Sequence, residues 1–397
     1  MSENSKNNEE LGQSLPKSVW VIFLASLTTL MGITLISPVL PLIEHFFNSN
    51  PMEISLLYTS YNVMMAISMI ITGFVSSRLS IKYTLLIGIL IMGLFSILSG
   101  FATDIWTIIW FRGLCGIGDA LFFATGFAAI IILSKNMRTK AIILYESGFG
   151  IGASLGPFIG GILGETSWKY PFFGVGILMT VVLVLIILFV PNVKEKEDHR
   201  KISMKETFEG LFHRPIIVLG FVACFYEYGL YSIILYTPLI VNLQPVILGV
   251  VFLIGGICLA ISSYFISPLL INKLGSLKSL CLLFACFSIV FLVMSIFIKE
   301  AAIIGICTII ASILMGSINS LLSTTLAETS QMRESTTSAT YHFIFYSGGA
   351  ITPFLANTIG QLISPNAPFI VGIFIFILPI LIILLNKSYL NSKEIIN

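Results

Sequence analysis

Apolar runs of about 20 residues recur from residue 19 to residue 386, separated by short polar stretches. That is the length a helix needs to cross the hydrocarbon core of a bilayer. The pattern predicts twelve spans, at 19–43, 54–77, 83–103, 105–133, 139–164, 171–190, 215–241, 246–271, 278–298, 301–327, 335–363 and 367–386. The longest polar interruption, 191–214, divides them six and six. The expected organisation is therefore a polar tail at 1–18, a six-helix bundle at 19–190, a linker at 191–214, a second six-helix bundle at 215–386 and a tail at 387–397. The first eighteen residues lack the basic start, short apolar core and small-residue cleavage site of a secretory signal.

Composition supports the spans. Only 10% of the residues are charged, against about 25% in ordinary globular domains. The charges are also placed unevenly. Of the 21 Lys and Arg, 18 lie in the two tails and in alternate connections; the other six connections hold only Lys169 and Lys299. Lys and Arg are retained on the cytoplasmic side, so both termini are expected in the cytoplasm of a plasma-membrane protein. The linker reads as a solvated connection with a charge-rich, amphipathic composition. All six cysteines fall inside apolar spans without a CxxC pair, which points to reduced, packed thiols.

The two halves match each other. At a shift of 196, Tyr145 meets Tyr341, Gly152 meets Gly348, Pro157 and Phe158 meet Pro353 and Phe354, and Gly164 meets Gly360. At 197, Pro41, Leu42 and Ile43 meet Pro238, Leu239 and Ile240; at 195, Arg78 meets Lys273. A duplicated six-helix unit keeps both copies in one orientation. Two parallel halves are one plan of secondary transporters, which bind substrate between the halves and rock to expose it to either side.

Charges inside spans are costly, about 2.5–3.5 kcal/mol each on insertion scales, so each is a functional candidate. Arg112 and Asp119 lie seven residues apart, two turns along one helix face. Glu146 lies in the fifth span and Glu227 near the middle of the seventh; His342 matches Glu146 across the repeat. A carboxylate withdrawn from water can hold a proton at neutral pH. Asp119 is the leading proton carrier, with Glu227 and Glu146 behind it and Arg112 modulating. Simpler roles stay open: a fixed Arg112–Asp119 pair pinning the fourth helix, a Glu146 bonded to nearby backbone, a His342 in a helix-to-helix hydrogen bond. Tyr226, Tyr228, Tyr231 and Tyr236 surround Glu227 and offer flat faces with hydroxyls, although packing accounts equally for any one of them. Asn62, with Tyr58 and Tyr61, and Asn319 are weaker cavity candidates. Gly148, Gly152, Gly156, Gly160 and Gly164 form a four-residue repeat in the fifth span. Small residues so spaced let two helices approach closely in lipid, and Pro157 bends the helix. The groove is expected at the interface between the halves, as a sliding contact or a seal.

The stretches ISPVLPLI, GFVSSRLSIKY, RGLCGIGDA and GIGASLGPFIGG resemble four motifs of the major facilitator superfamily, specifically its twelve-span drug:proton antiporters. ISPVLPLI at the end of the first span is similar to their proline-rich first-helix exit. GFVSSRLSIKY, with Gly73, Arg78 and Lys82, resembles their signature loop, but Ser77 and Ser80 stand where the family has aspartate and glycine. RGLCGIGDA resembles the motif whose intramembrane arginine, here Arg112, is tied to proton coupling. GIGASLGPFIGG, including Gly156, Pro157, Gly160 and Gly161, resembles the antiporter motif of exporters. The resemblance implies an all-α major facilitator fold and proton-coupled export of small lipophilic or cationic compounds. A carrier of a polar solute (sugar, amino acid or siderophore) is the alternative, and an intramembrane enzyme a remote one. No phosphate-binding GxxxxGK[ST] and no HExxH occurs. The expected partners are a small-molecule substrate, protons and lipid, with no cofactor, metal or nucleic acid, in a monomer.

Overall fold

The computed structural model describes residues 15–76, 79–134, 137–192, 210–330 and 334–390. Arg78, the side chain of Glu146 and most of the 191–214 linker lie outside them. Every regular element among the described residues is a helix. Eleven are long and apolar enough to cross a membrane: Lys17–Phe47, Pro51–Thr72, Ile81–Gly100, Ile105–Leu133, Ser147–Thr166, Tyr170–Phe189, Arg214–Ile240, Pro245–Leu274, Ser276–Ile296, Ala301–Thr329 and Ala367–Leu385. The remaining long helix, Glu334–Leu362, is the expected eleventh span. Its Ser, Thr, Tyr, His and Asn residues make it the most polar of the twelve. We call the face where the first and seventh spans begin the near face, and the opposite one the far face.

Local chemistry sets the helix ends. Asn48 closes the first span in the left-handed region (φ 49°). Asn50 and Glu53 then exchange backbone-to-side-chain hydrogen bonds of 2.9 and 3.0 Å, a reciprocal cap that starts the second span. Asp104 caps the fourth, accepting from the Thr107 N–H at 2.9 Å. The seventh and eighth spans each widen into a π turn, Ser232–Tyr236 and Ser262–Ile266, immediately before Pro238 and Pro268. A proline has no N–H for the helical ladder, and the π turn absorbs the break. The first span breaks at the matching place, by a 3₁₀ turn at Ser37–Val39.

Packing follows the repeat. One apolar cluster draws only on residues 216–390 and another only on 15–190, one core per half. Two smaller clusters cross the seam. Tyr231 and Leu235 join Ile36, Leu40 and Tyr58 at the far side, and Tyr346 joins Tyr61, Met65 and Cys115 deeper in. The seventh span is the most buried of the eleven apolar spans, at 72%, whereas the sixth, eighth and twelfth are at 33%, so the seventh is central.

The seam carries one contact that displays the internal symmetry. The Ser37 hydroxyl donates to the Ile234 carbonyl. Pro238, four residues on, cannot donate to that carbonyl, so a side chain from the other half does. The two residues are 197 apart, the offset at which the first and seventh spans match. They are equivalent positions of the two halves meeting at the pseudo-two-fold axis.

The glycine stripe of the fifth span requires a correction. It does not face the other half. A β-carbon at Gly148 would strike Ser26, at Gly152 the Leu27 carbonyl, at Gly156 Thr34, at Gly160 the Leu35 carbonyl and at Gly164 Val39, all in the first span. The groove therefore closes the first span onto the fifth within one half, and the Ser26 hydroxyl reaches the Tyr145 carbonyl at 3.1 Å along the same contact. The neighbouring face of the fifth span meets the eighth. A β-carbon at Gly161 would lie 2.5 Å from the Pro245 carbonyl oxygen, and one at Gly249 would lie 2.7 Å from that of Pro157.

Candidate functional site

The polar centre is built where the second, fourth, seventh and eleventh spans converge. Gly116 starts it. A β-carbon there would run into the Tyr61 carbonyl oxygen, so only glycine lets the second span approach the fourth this closely. Gly116 lies between Arg112 and Asp119, and the approach inserts Tyr61 between those two side chains. The Arg112 guanidinium sits 4.5 Å from the centroid of the Tyr61 ring. The Tyr61 hydroxyl donates to Asp119 Oδ2 at 2.5 Å. Arg112 and Asp119 thus share a face, as their spacing predicts, but a tyrosine bridges them in place of a direct ion pair.

Arg112 is also tied to the first span. Its Nη1 donates to the Gly32 carbonyl at 3.2 Å. Gly32 lies in the last turn of the helix Lys17–Thr34, where carbonyls run out of intrahelical donors and the helix dipole favours a cation. The break in the first span therefore creates the acceptor that Arg112 uses.

Across the seam, the Tyr58 ring lies 5.8 Å from the Arg112 guanidinium and 5.6 Å from the Tyr231 ring. Asn62 donates to the Tyr231 hydroxyl at 2.5 Å and to the Tyr58 carbonyl at 2.9 Å. Glu227 lies one turn before Tyr231. A β-carbon on Gly349 would lie 2.5 Å from Glu227 Oε2 and 3.2 Å from Asn62 Oδ1, so this glycine keeps the eleventh span from covering the carboxylate. Arg112, Asp119 and Glu227 are 3%, 1% and 1% exposed. The cluster joins both halves through hydrogen bonds and rings alone. No group of three or more His, Cys, Asp or Glu that could hold a metal occurs among the described residues.

The other candidates are spread around this centre. Tyr226 packs 6.1 Å from Phe345, centroid to centroid. Tyr228 turns into the core of its own half, donating to the Pro368 carbonyl at 2.8 Å. His342 bonds the Ser338 carbonyl at 2.8 Å within its own helix, and its ring meets Phe123 of the fourth span at 5.2 Å. Asn319 is exposed. Lys82 donates to the Ile187 carbonyl at 2.8 Å, in the last turn of the sixth span; Gly73 lies within the helix Pro51–Ser76. An open cleft of about 620 Å³ at the far face, lined by His45, Glu165, Trp168 and Gln244 among others, contains none of the three buried charges. Sequence reasoning passed over Gly349 and Tyr346 and gave Tyr61 only a minor place. The signal for Tyr61 was Gly116, a small residue midway between two intramembrane charges.

A family model described as Major Facilitator Superfamily matches residues 22–353. The chain belongs to the major facilitator superfamily. It is similar to the Multidrug efflux protein YfmO of Bacillus subtilis (strain 168), 32% identical over 98% of both chains. It is also similar to the Tetracycline resistance protein, class H, of Pasteurella multocida, 30% identical over 46% of both. Among solved structures, the human organic anion transporter MFSD10 (TETRAN) superposes with a TM-score of 0.69 at 16% identity, covering 92% of this chain and 98% of that one. A bacterial homologue of the human lysosomal transporter Spinster gives 0.68 at 14% identity, over 97% and 98%. These likenesses establish the major facilitator fold, with twelve spans in two halves, and a transporter as opposed to an enzyme.

Proposed function

We propose that this superfamily member exports small lipophilic or cationic compounds in exchange for protons. Its near face is cytoplasmic, in the plasma membrane, and it works as a monomer without a cofactor. The observation that carries the reading is a pair of buried carboxylates on opposite sides of the seam. Asp119 keeps Oδ1 without a hydrogen-bond partner, and both oxygens of Glu227 have none. Buried carboxylates on either side of a moving seam, one of them beside Arg112, can exchange a proton or a cationic guest according to how the halves sit. Rocking about the Ser37–Ile234 contact and the fifth-to-eighth span seam changes their surroundings. The resemblance to multidrug and tetracycline efflux proteins supports the export direction.

The test is uptake into everted membrane vesicles. With an acid interior, vesicles carrying the protein should accumulate a cationic dye, and a protonophore should abolish the uptake. An Asp119→Asn, Glu146→Gln, Glu227→Gln triple variant should lose it. Unchanged rate and pH dependence in that variant would remove the proton-carrier assignment. Transport of a sugar with no movement of dye would replace the substrate class.

A further inference from the structure

All three buried charges keep unused hydrogen-bonding capacity; Asp119 is held by Tyr61 at Oδ2 and lacks a partner only at Oδ1, whereas the other two are less satisfied. Arg112 bonds through Nη1 alone; Nε and Nη2 have no partner among the described residues. Glu227 has none at either oxygen. Leaving buried ionic groups unpaired is strongly unfavourable. Two groups of opposite sign would ordinarily meet. Here they belong to opposite halves, and the Tyr58 and Tyr231 rings, in edge-to-face contact at 5.6 Å, lie on the Arg112 and Glu227 sides of the seam.

We propose that the transported compounds are amphoteric, with an anionic group received by Arg112, a cationic group received by Glu227, and a flat apolar middle lying along the two tyrosines. This deepens the export reading and rests on it for placing the substrate at the seam. A simple cation satisfies Glu227 but leaves the guanidinium unpaired and repelling it. A simple anion does the reverse. A molecule carrying both charges satisfies both groups at once and, because it touches both halves, binds only where the seam brings them together. Its cationic end competes with a proton for Glu227, while Asp119 keeps its own partner. Aromatic faces suit a planar body, and the Tyr58 face is shared with the guanidinium.

The test uses two dyes differing at one group. Rhodamine 110 carries a cationic xanthene and a free carboxylate; rhodamine 123 is its methyl ester and keeps only the cation. Fluorescence polarisation on the purified full chain, at one pH and with no gradient, gives both affinities. Rhodamine 110 should bind about tenfold or more tightly than its ester, the effect of one charge-assisted pair in a buried site. Arg112→Gln should bring the ratio to about one while rhodamine 123 still binds, which shows that the variant is folded. Glu227→Gln should weaken both dyes. Equal or tighter binding of the ester by the wild type overturns the proposal, as does the absence of saturable rhodamine 110 binding. The wild-type ratio decides alone if Arg112→Gln does not fold; an unchanged ratio in the folded variant also overturns it. A tenfold preference without proton-driven uptake would refute antiport and leave this inference standing. Proton-driven uptake without a preference would do the opposite.

Discussion

Removing one oxygen from Tyr61 tests the centre of the site. Tyr61→Phe keeps the ring under Arg112 and deletes only the donor to Asp119. The two partners are each 1% exposed and 2.5 Å apart. Asp119 has no second partner to fall back on, since Oδ1 is already unpaired. Hydrogen bonds between membrane helices average about 0.6 kcal/mol and reach about 1.7; those to charged groups contribute about 1.5–3 kcal/mol. Full burial and the missing alternative place this bond toward the upper end, at about 1–2 kcal/mol. The assay is a double-mutant cycle with Asp119→Ala, which leaves the hydroxyl no acceptor, read by reversible unfolding of the purified protein in mixed micelles. Tyr61→Phe should be costly in the native background and nearly neutral beside Asp119→Ala. Additivity within about 0.5 kcal/mol would refute the claim that Tyr61 holds Asp119.

Gly160→Leu should sharply lower the melting temperature, because the side chain cannot pass the Leu35 carbonyl and the first and fifth spans separate. Gly161→Ala presses on the Pro245 carbonyl across the seam instead and should slow vesicle uptake more than it lowers stability, overpacking costing about 1–3 kcal/mol; the reverse order would contradict the assigned faces. Ser37→Ala should weaken the far-side contact by about 0.6 kcal/mol. The labelling rate of a cysteine placed at Leu235, which is fully buried there, should then rise about threefold, and an unchanged rate would show that the contact does not hold the far side shut. Asp104, in the connection before the fourth span, accepts from the Thr107 hydroxyl and N–H, which hold its carboxyl below the usual range. That contribution is present above the ordinary carboxylate range and lost as pH falls through the depressed value. Asp104→Ala should therefore melt below the wild type at neutral pH, with the gap closing in strong acid.

Much of the architecture was legible because lipid imposes simple rules. Apolar length gave the spans, and the 197-residue offset paired Pro41 with Pro238 without showing that the helices would break nearby. What the pattern could not supply was which neighbour each helix face meets. The four-residue glycine repeat specifies a groove, but the first and eighth spans are both apolar helices able to fill it. Only packing assigns Gly160 to one and Gly161 to the other. The seven-residue spacing of Arg112 and Asp119 specifies a shared face, yet their bridge comes from another helix. Its register depends on Gly116 touching the Tyr61 carbonyl. Gly349 was invisible for a similar reason, since its role is to leave room beside a glutamate 122 positions earlier in the chain.

The central claim is that substrate and protons move in opposite directions through one site. The direct measurement is internal pH in proteoliposomes prepared without a proton gradient, after a substrate gradient is imposed. Substrate moving out should draw protons in against no initial force, and Asp119→Asn should abolish that proton movement. Substrate flux with no counterflow of protons, or protons travelling with the substrate, would contradict the account.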